Sequence, residues 1–248
     1  MCRMFFQCSL EPRSVEHHLL KKFVSTCRWQ YLRRYNLFGH HGFGWGFAYI
    51  PENRNSTLVI KRDITPIYKA NWKALTNIKT RFLLVHARKT LPWKKKEPEK
   101  VHPINIQEKF SICHNGIIKN HSFPHLIDPR LESIKNSSDL DTQKYLCFII
   151  DELKKGKSLK EALESVFRVI EIGAGANAFL FNESECNVIN YHNTNFNGRN
   201  HTLFISNDDG RVFVATTPLL SNAREIENHS LVNINLMNLE LRMIKLEL

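Results

Sequence analysis

The sequence predicts a layered α+β domain, and three observations carry that expectation. Two central segments, about Asp139 to Lys154 and about Ser158 to Ile170, show the apolar period of amphipathic helices. From residue 176 onward the pattern changes to short strands joined by turn dipeptides such as Asp209-Gly210. No internal repeat, low-complexity tract or composition shift marks a linker, so residues 1-248 are expected to form one domain with more strands than helices.

Taken in order, residues 3 to 9 read as a first strand. Ser14 then offers an N-cap for an amphipathic helix carrying Leu19, Leu20, Phe23, Val24 and Cys27 and ending near Tyr35. Gly39 to Gly46 is a turn-rich loop, followed by strands near 45 to 50 and 57 to 62 with the polar turn Pro51 to Ser56 between them. A short helix around Tyr68 to Ile78 leads to an apolar strand at 81 to 87, and the proline-bearing basic stretch 91 to 107 reads as a loop. Phe110 to Cys113 is a strand entering His114-Asn115-Gly116, where Asn-Gly would ordinarily be a tight turn. Gly156 separates the two central helices, and Ser138-x-x-Asp141 ahead of the first has the form of a capping box. The remaining strands are expected at 176 to 182, 186 to 191, 202 to 206, 211 to 216, 231 to 237 and 239 to 247.

Composition excludes several classes of function. The net charge of +11 favours contact with phosphates, yet the basic residues are spread along the chain. The one dense run, Lys94-Lys95-Lys96 through Lys100, is broken by Glu97, Pro98 and Glu99 and reads as a solvated loop. Without an aromatic RNA-binding motif, zinc finger or recognition helix, specific nucleic-acid binding is not expected. Apolar runs such as Phe82 to Val85 are far shorter than the ~20 residues a membrane span needs, so no membrane association is expected. The strand-like Met4-Phe5-Phe6 lacks a long apolar signal region, which points to a cytoplasmic location. Six cysteines at 2, 8, 27, 113, 147 and 186 have no paired spacing, so neither a zinc ribbon nor a disulfide framework is expected, and most should be buried thiols.

Cys2 is the residue with the most chemistry to offer. Removal of Met1 would give it both a free α-amino group and a thiol, a nucleophile and its base on one residue, since such an amine titrates near pH ~8. A cysteine at position 2 is otherwise a small residue that permits methionine removal. Three further segments stand beside it: His86-Ala87-Arg88-Lys89-Thr90, Phe110-Ser-Ile-Cys-His114-Asn115-Gly116-Ile-Ile, and Asp141-Thr142-Gln143. Together with Met1-Cys2-Arg3-Met4, with His41-Gly42-Phe43-Gly44-Trp45-Gly46-Phe47-Ala48-Tyr49, and with the late Phe213-Val-Ala-Thr-Thr-Pro218-Leu219, their order resembles the class II glutamine amidotransferase domain, of the N-terminal nucleophile hydrolase superfamily. The resemblance covers most of the chain and is nearest to the stand-alone type, since no synthase or sugar-isomerase extension is seen.

The resemblance implies a four-layer αββα fold, two antiparallel sheets packed between helix layers. It also implies hydrolysis of the γ-amide of glutamine, or of a γ-glutamyl peptide or conjugate, through a thioester on Cys2. Arg88 suits the substrate carboxylate through a bidentate fork. Asp141 would accept from the α-ammonium, and His86 and Trp45 fall with these two among the substrate-binding side chains. The Asn115 side-chain amide and the Gly116 N–H would be the oxyanion donors, each worth ~3 to 4 kcal/mol in a transition state.

Two positions depart from the family pattern. Phe43 stands where relatives carry an acidic residue, which could alter bracing of the loop over the nucleophile, and Gln143 stands where they carry glutamate, which could weaken the ordering of Asp141. Among the histidines, His40-His41, His114, His121 and His125 lack convincing ligand spacing, so no metal is expected. Gly42-x-Gly44-x-Gly46 lacks a following helix and a GKS/T, so no phosphate loop and no cofactor are expected. The expected partner is the small-molecule substrate, with a separate ammonia-accepting protein and the oligomeric state left open. Two competing readings are a hydrolase of the same superfamily acting on another amide, and an inactive basic protein that binds nucleic acid or an acidic partner.

Overall fold

Strand β1 (Arg3–Arg13) is buried on both faces along its first half, with Met4, Phe6 and Cys8 on one and Phe5 on the other, which suits it to the middle of a sheet covered on each side. In the computed structural model, which describes residues 2–28, 41–52, 57–89, 95–106, 109–193 and 201–248, β1 is the central strand of an antiparallel sheet. That sheet runs β11 (Arg224–Glu225), β9 (Phe204–Asp208), β10 (Arg211–Ala215), β1, β4 (Thr80–Ala87), β2 (Trp45–Pro51) and β3 (Val59–Asp63). A second antiparallel sheet runs β13 (Leu241–Lys245), β12 (Ser230–Asn235), β8 (Glu185–Asn190), β7 (Ile172–Phe181), β6 (Ser111–Ile118) and β5 (Ile104–Asn105).

Three apolar clusters separate four layers. Met4, Phe6 and Cys8 of β1 meet Cys113, Phe179 and Phe181 of the second sheet, forming the core between the sheets. Phe5 faces the other way, onto Leu20 and Phe23 of helix α1 (His17–Arg28). The outer face of the second sheet is covered by α2 (Pro129–Asn136), α3 (Asp141–Lys154) and α4 (Leu159–Val169), with Leu131, Tyr145, Leu146 and Leu163 against Ile112 and Ala178. The fold is therefore α+β, with two antiparallel sheets between helices.

Several elements differ from the sequence expectation, each for a local reason. Helix α1 begins at His17, where the Glu16 carbonyl accepts from the Leu20 amide, so Ser14 precedes it; the expected end near Tyr35 lies outside the described residues. The segment 68 to 78 forms two 3₁₀ turns, Ile67–Lys69 and Trp72–Asn77, rather than an α-helix. Helix α2 was not anticipated, although Asp128-Pro129 is its signal: the Asp128 carboxylate accepts from the Arg130 and Leu131 amides and Pro129 opens the helix. Asn115-Gly116 continues β6 instead of turning, because its register with β7 runs unbroken from Ser111 to Ile117. The capping box forms at Ser158 and Glu161 on α4, whereas at Ser138 the hydroxyl accepts from Leu140 and Asp141 is the first residue of α3. Asp209 and Gly210 both have positive φ, 46° and 68°, and make the tight β9–β10 hairpin that the dipeptide announces.

Candidate active site

The ends of β1, β4 and β6 and the start of α3 converge on one cavity of about 320 Å³. Its lining includes Cys2, Arg88, Lys89, Gly116 and Asp141, at the lower end of the size range of small-molecule sites. Alternation along β1 puts Cys2 on the same face as Met4 and Phe6, toward the second sheet. Its sulfur receives the Lys89 amide at 3.5 Å and lies 3.7 Å from the Lys89 carbonyl. The Phe213 to Leu219 segment braces this end of β1, because the Thr216 hydroxyl accepts from the Met4 amide at 3.1 Å and Arg3 donates to the Thr216 carbonyl at 2.8 Å.

Arg88 follows β4, and its main chain is pinned to the glycine loop: its amide donates to Gly44 and its carbonyl accepts from Phe43, at 2.8 and 3.3 Å. Gly44 has φ +104°, and a Cβ there would lie 2.7 Å from the Asp63 carbonyl. The loop therefore braces Arg88 through the Phe43 backbone amide, whatever side chain position 43 carries. One terminal nitrogen of the Arg88 guanidinium is buried with no hydrogen-bond partner among the described residues, a donor suited to an anion.

Asp141 is held without help from Gln143. One carboxylate oxygen accepts from the Ile118 amide at 3.1 Å and the other from Thr142 at 2.8 Å. Gln143 instead donates to the Ile134 carbonyl at 2.7 Å and ties α3 to α2.

Asn115 shares the face of Cys113, toward the first sheet, and neither atom of its buried amide has a partner among the described residues. Its cross-strand neighbour Asn177 donates to the His201 carbonyl. Gly116 cannot carry a side chain, since a Cβ would sit 1.6 Å from the Gly175 carbonyl.

Fully buried between the lining residues His114 and Gly116, Asn115 lies off the cavity lining, as do His86 and Trp45. His86 is fully buried behind it, with Nε2 3.3 Å from the His114 carbonyl, and burial pushes its pKa down to about 3. Trp45 is a correction to the expectation: its side chain joins the core under α1 and stacks on Phe47 at 5.3 Å, because its place in β2 points it away from the second sheet.

Of the lining residues that sequence reasoning did not assign to the site, His102, His114 and Thr142 form one network. The Thr142 hydroxyl bridges His102 Nε2 at 2.8 Å and His114 Nδ1 at 3.1 Å, and His114 Nε2 lies 3.2 Å from the Gly175 carbonyl. A carbonyl only accepts, so His114 donates from Nε2 to Gly175, and the Thr142 hydroxyl, which also lies 3.4 Å from Asp141 Oδ1, joins the two rings to the carboxylate. Nδ1 of His86 and of His102 are buried with no hydrogen-bond partner among the described residues. The signals were His102 ahead of a proline and His114 beside Asn115, but nothing in their spacing brings them to Thr142.

The other cysteines lie elsewhere. Burial pushes Cys8 and Cys27 up to about 12 and holds Cys113 and Cys186 well above the usual thiol range. His41 is buried against the Cys27 carbonyl at 3.1 Å, and His40 is outside the described residues. Among the described residues, no group of three or more His, Cys, Asp or Glu side chains is arranged to hold a metal ion, and no helix is long and apolar enough to cross a membrane.

Solved structures share this architecture. A glutamine phosphoribosylpyrophosphate amidotransferase from B. subtilis, complexed with ADP and GMP, superposes with a TM-score of 0.64 at 16% identity, covering 100% of this chain and 50% of that one, so the chain spans half of that enzyme's length. A glutamine aminotransferase class-II domain protein from Silicibacter pomeroyi gives 0.60 at 13% identity, over 98% of this chain and 100% of that one. A predicted glutamine amidotransferase from Pseudomonas aeruginosa gives 0.52 at 12% identity, over 97% and 98%. No protein-family model and no curated protein sequence matches the chain. The likeness is therefore one of fold.

Proposed function

We propose that this cavity hydrolyses the γ-amide of glutamine or of a γ-glutamyl compound, with Cys2 as an N-terminal nucleophile. The observation that carries the reading is a cysteine opening into the same cavity as the Arg88 guanidinium and the Asp141 carboxylate. Those two charges match the α-carboxylate and α-ammonium of a glutamyl group, and the cysteine stands ready for its side-chain carbonyl. The α-amine freed by loss of Met1 takes the thiol proton, and the sulfur adds to the carbonyl carbon of the γ-amide. Asn115 Nδ2 and the Gly116 amide receive the developing oxyanion. The carbon–nitrogen bond breaks as the α-ammonium returns the proton to the leaving amine, and water then hydrolyses the thioester to glutamate.

Purified protein should release glutamate from glutamine or a γ-glutamyl anilide, and Cys2→Ala should lose at least about a thousandfold in kcat with its melting temperature unchanged. Retained turnover in that variant would overturn the mechanism. Intact mass tests the base separately, since a mature chain that keeps Met1 has no free amine on Cys2.

A further inference from the structure

On the outer face of the second sheet, where α3 ends and α4 begins, lies a second cavity of about 760 Å³ that shares no lining residue with the candidate active site. Its volume falls within the range of small-molecule sites. Phe110, Ile150, Leu153 and Leu231 give it apolar walls and belong to, or pack against, the core beneath α3 and α4.

Asn187 brings a polar group to this apolar place. Alternation along β8 sends Cys186 and Val188 between the sheets, and Asn187 with Ile189 to the helix side. Asn187 is fully buried, and register sets it opposite Asn233 of β12. Asn233 Nδ2 donates to Asn187 Oδ1 and to Glu185 Oε2, both at 2.8 Å, which holds the Asn187 amide with its oxygen occupied. Asn187 Nδ2 has no hydrogen-bond partner among the described residues. A buried donor without an acceptor costs stability, and an acceptor carried by a ligand recovers it.

Charge narrows the choice of ligand. The cations of the lining are already matched: Lys109 pairs with Glu185, Lys154 with Asp128, Lys157 with Glu152, Lys160 with Glu164, and Arg242 with Glu240. An anion at Asn187 would also meet the Glu185 carboxylate, which shares the Asn233 amide with it. Burying an unpaired charge there is costly, so the acceptor that fits is an uncharged oxygen on an apolar body.

The geometry points to a binding site for an uncharged aliphatic carbonyl compound, whose oxygen accepts from Asn187 Nδ2 and whose chain lies against Phe110, Ile150, Leu153 and Leu231. It is independent of the hydrolysis proposed above.

Titration of the full chain with octanamide, octanoate and octylammonium tests it, because the three share a chain and end in a neutral acceptor, a charged acceptor and no acceptor. Octanamide should bind at least about tenfold tighter than either of the others. Asn187→Leu removes the donor and should weaken octanamide about tenfold, and Ile244→Trp, which fills the cavity from a partly buried position on β13, should weaken it as well. Since octanamide is itself an amide, the titration is repeated on Cys2→Ala with saturating glutamine, where binding should be unchanged. Displacement by glutamine would put the ligand in the active-site cavity and overturn the inference. So would absence of octanamide binding, equal affinity for octanoate or octylammonium, or undiminished binding to Asn187→Leu. The wild-type series needs no variant to fold.

Discussion

At the scale of single residues, Gly116 shows how far packing constrains a position to which the proposed mechanism also assigns a role. Its backbone passes so close to Gly175 that a Cβ would overlap the carbonyl, and Gly175 is in turn pressed against His201, whose Nδ1 would lie 2.7 Å from a Cβ there. Gly116→Ala must push β6 and β7 apart, and should cost about 2 to 4 kcal/mol in denaturant unfolding and lower kcat with it. A variant of wild-type stability would mean that the strands approach less closely. Asn115 is the opposite case. A buried amide left without partners costs stability, on the order of 1 to 3 kcal/mol, and such a cost is common where a group is kept for a reacting atom.

At the scale of elements, α3 serves the site through its first two residues. The helix has no side-chain N-cap; Asp141 instead points back to the Ile118 amide and joins the helix to the end of β6, while Thr142 reaches the buried histidines. The two duties of Asp141 can be separated. Asp141→Asn keeps an oxygen for Ile118 but loses the charge and the acceptor for the Thr142 amide, so it should melt only slightly earlier than wild type while KM for a glutamyl substrate rises about ten- to a hundredfold. Asp141→Ala loses the Ile118 acceptor too and should melt earlier still. If Asp141→Asn left KM unchanged, the carboxylate would be structural only.

At the scale of the whole molecule, the buried histidines make stability depend on acid. His86 and His201 are both buried and both pushed down to about 3, chiefly by burial. In the unfolded chain they titrate near ~6.5, so between these values the unfolded state holds protons that the folded state refuses. Stability is therefore full above pH ~6.5 and declines as pH falls toward 3, by up to about 1.4 kcal/mol per pH unit for each ring. Melting temperatures should be level from pH 8 to 7 and fall below 6.5, and His86→Gln should fall less steeply. An identical slope in that variant would place the acid-sensitive group elsewhere. The sequence alone determined the central helices and most strands, because apolar periodicity is a local property that burial on one face imposes on each segment. It also carried the candidate nucleophile and its charged companions as separate motifs, since residue type and order survive without coordinates. Tertiary structure alone decided that Cys2, Arg88, Gly116 and Asp141 share one cavity while Trp45 does not, that Asn115-Gly116 is strand rather than turn, and that His102, His114 and Thr142 form one network. Those outcomes depend on strand register and on which face each side chain takes when two sheets stack, and both are set by contacts between segments far apart in the chain.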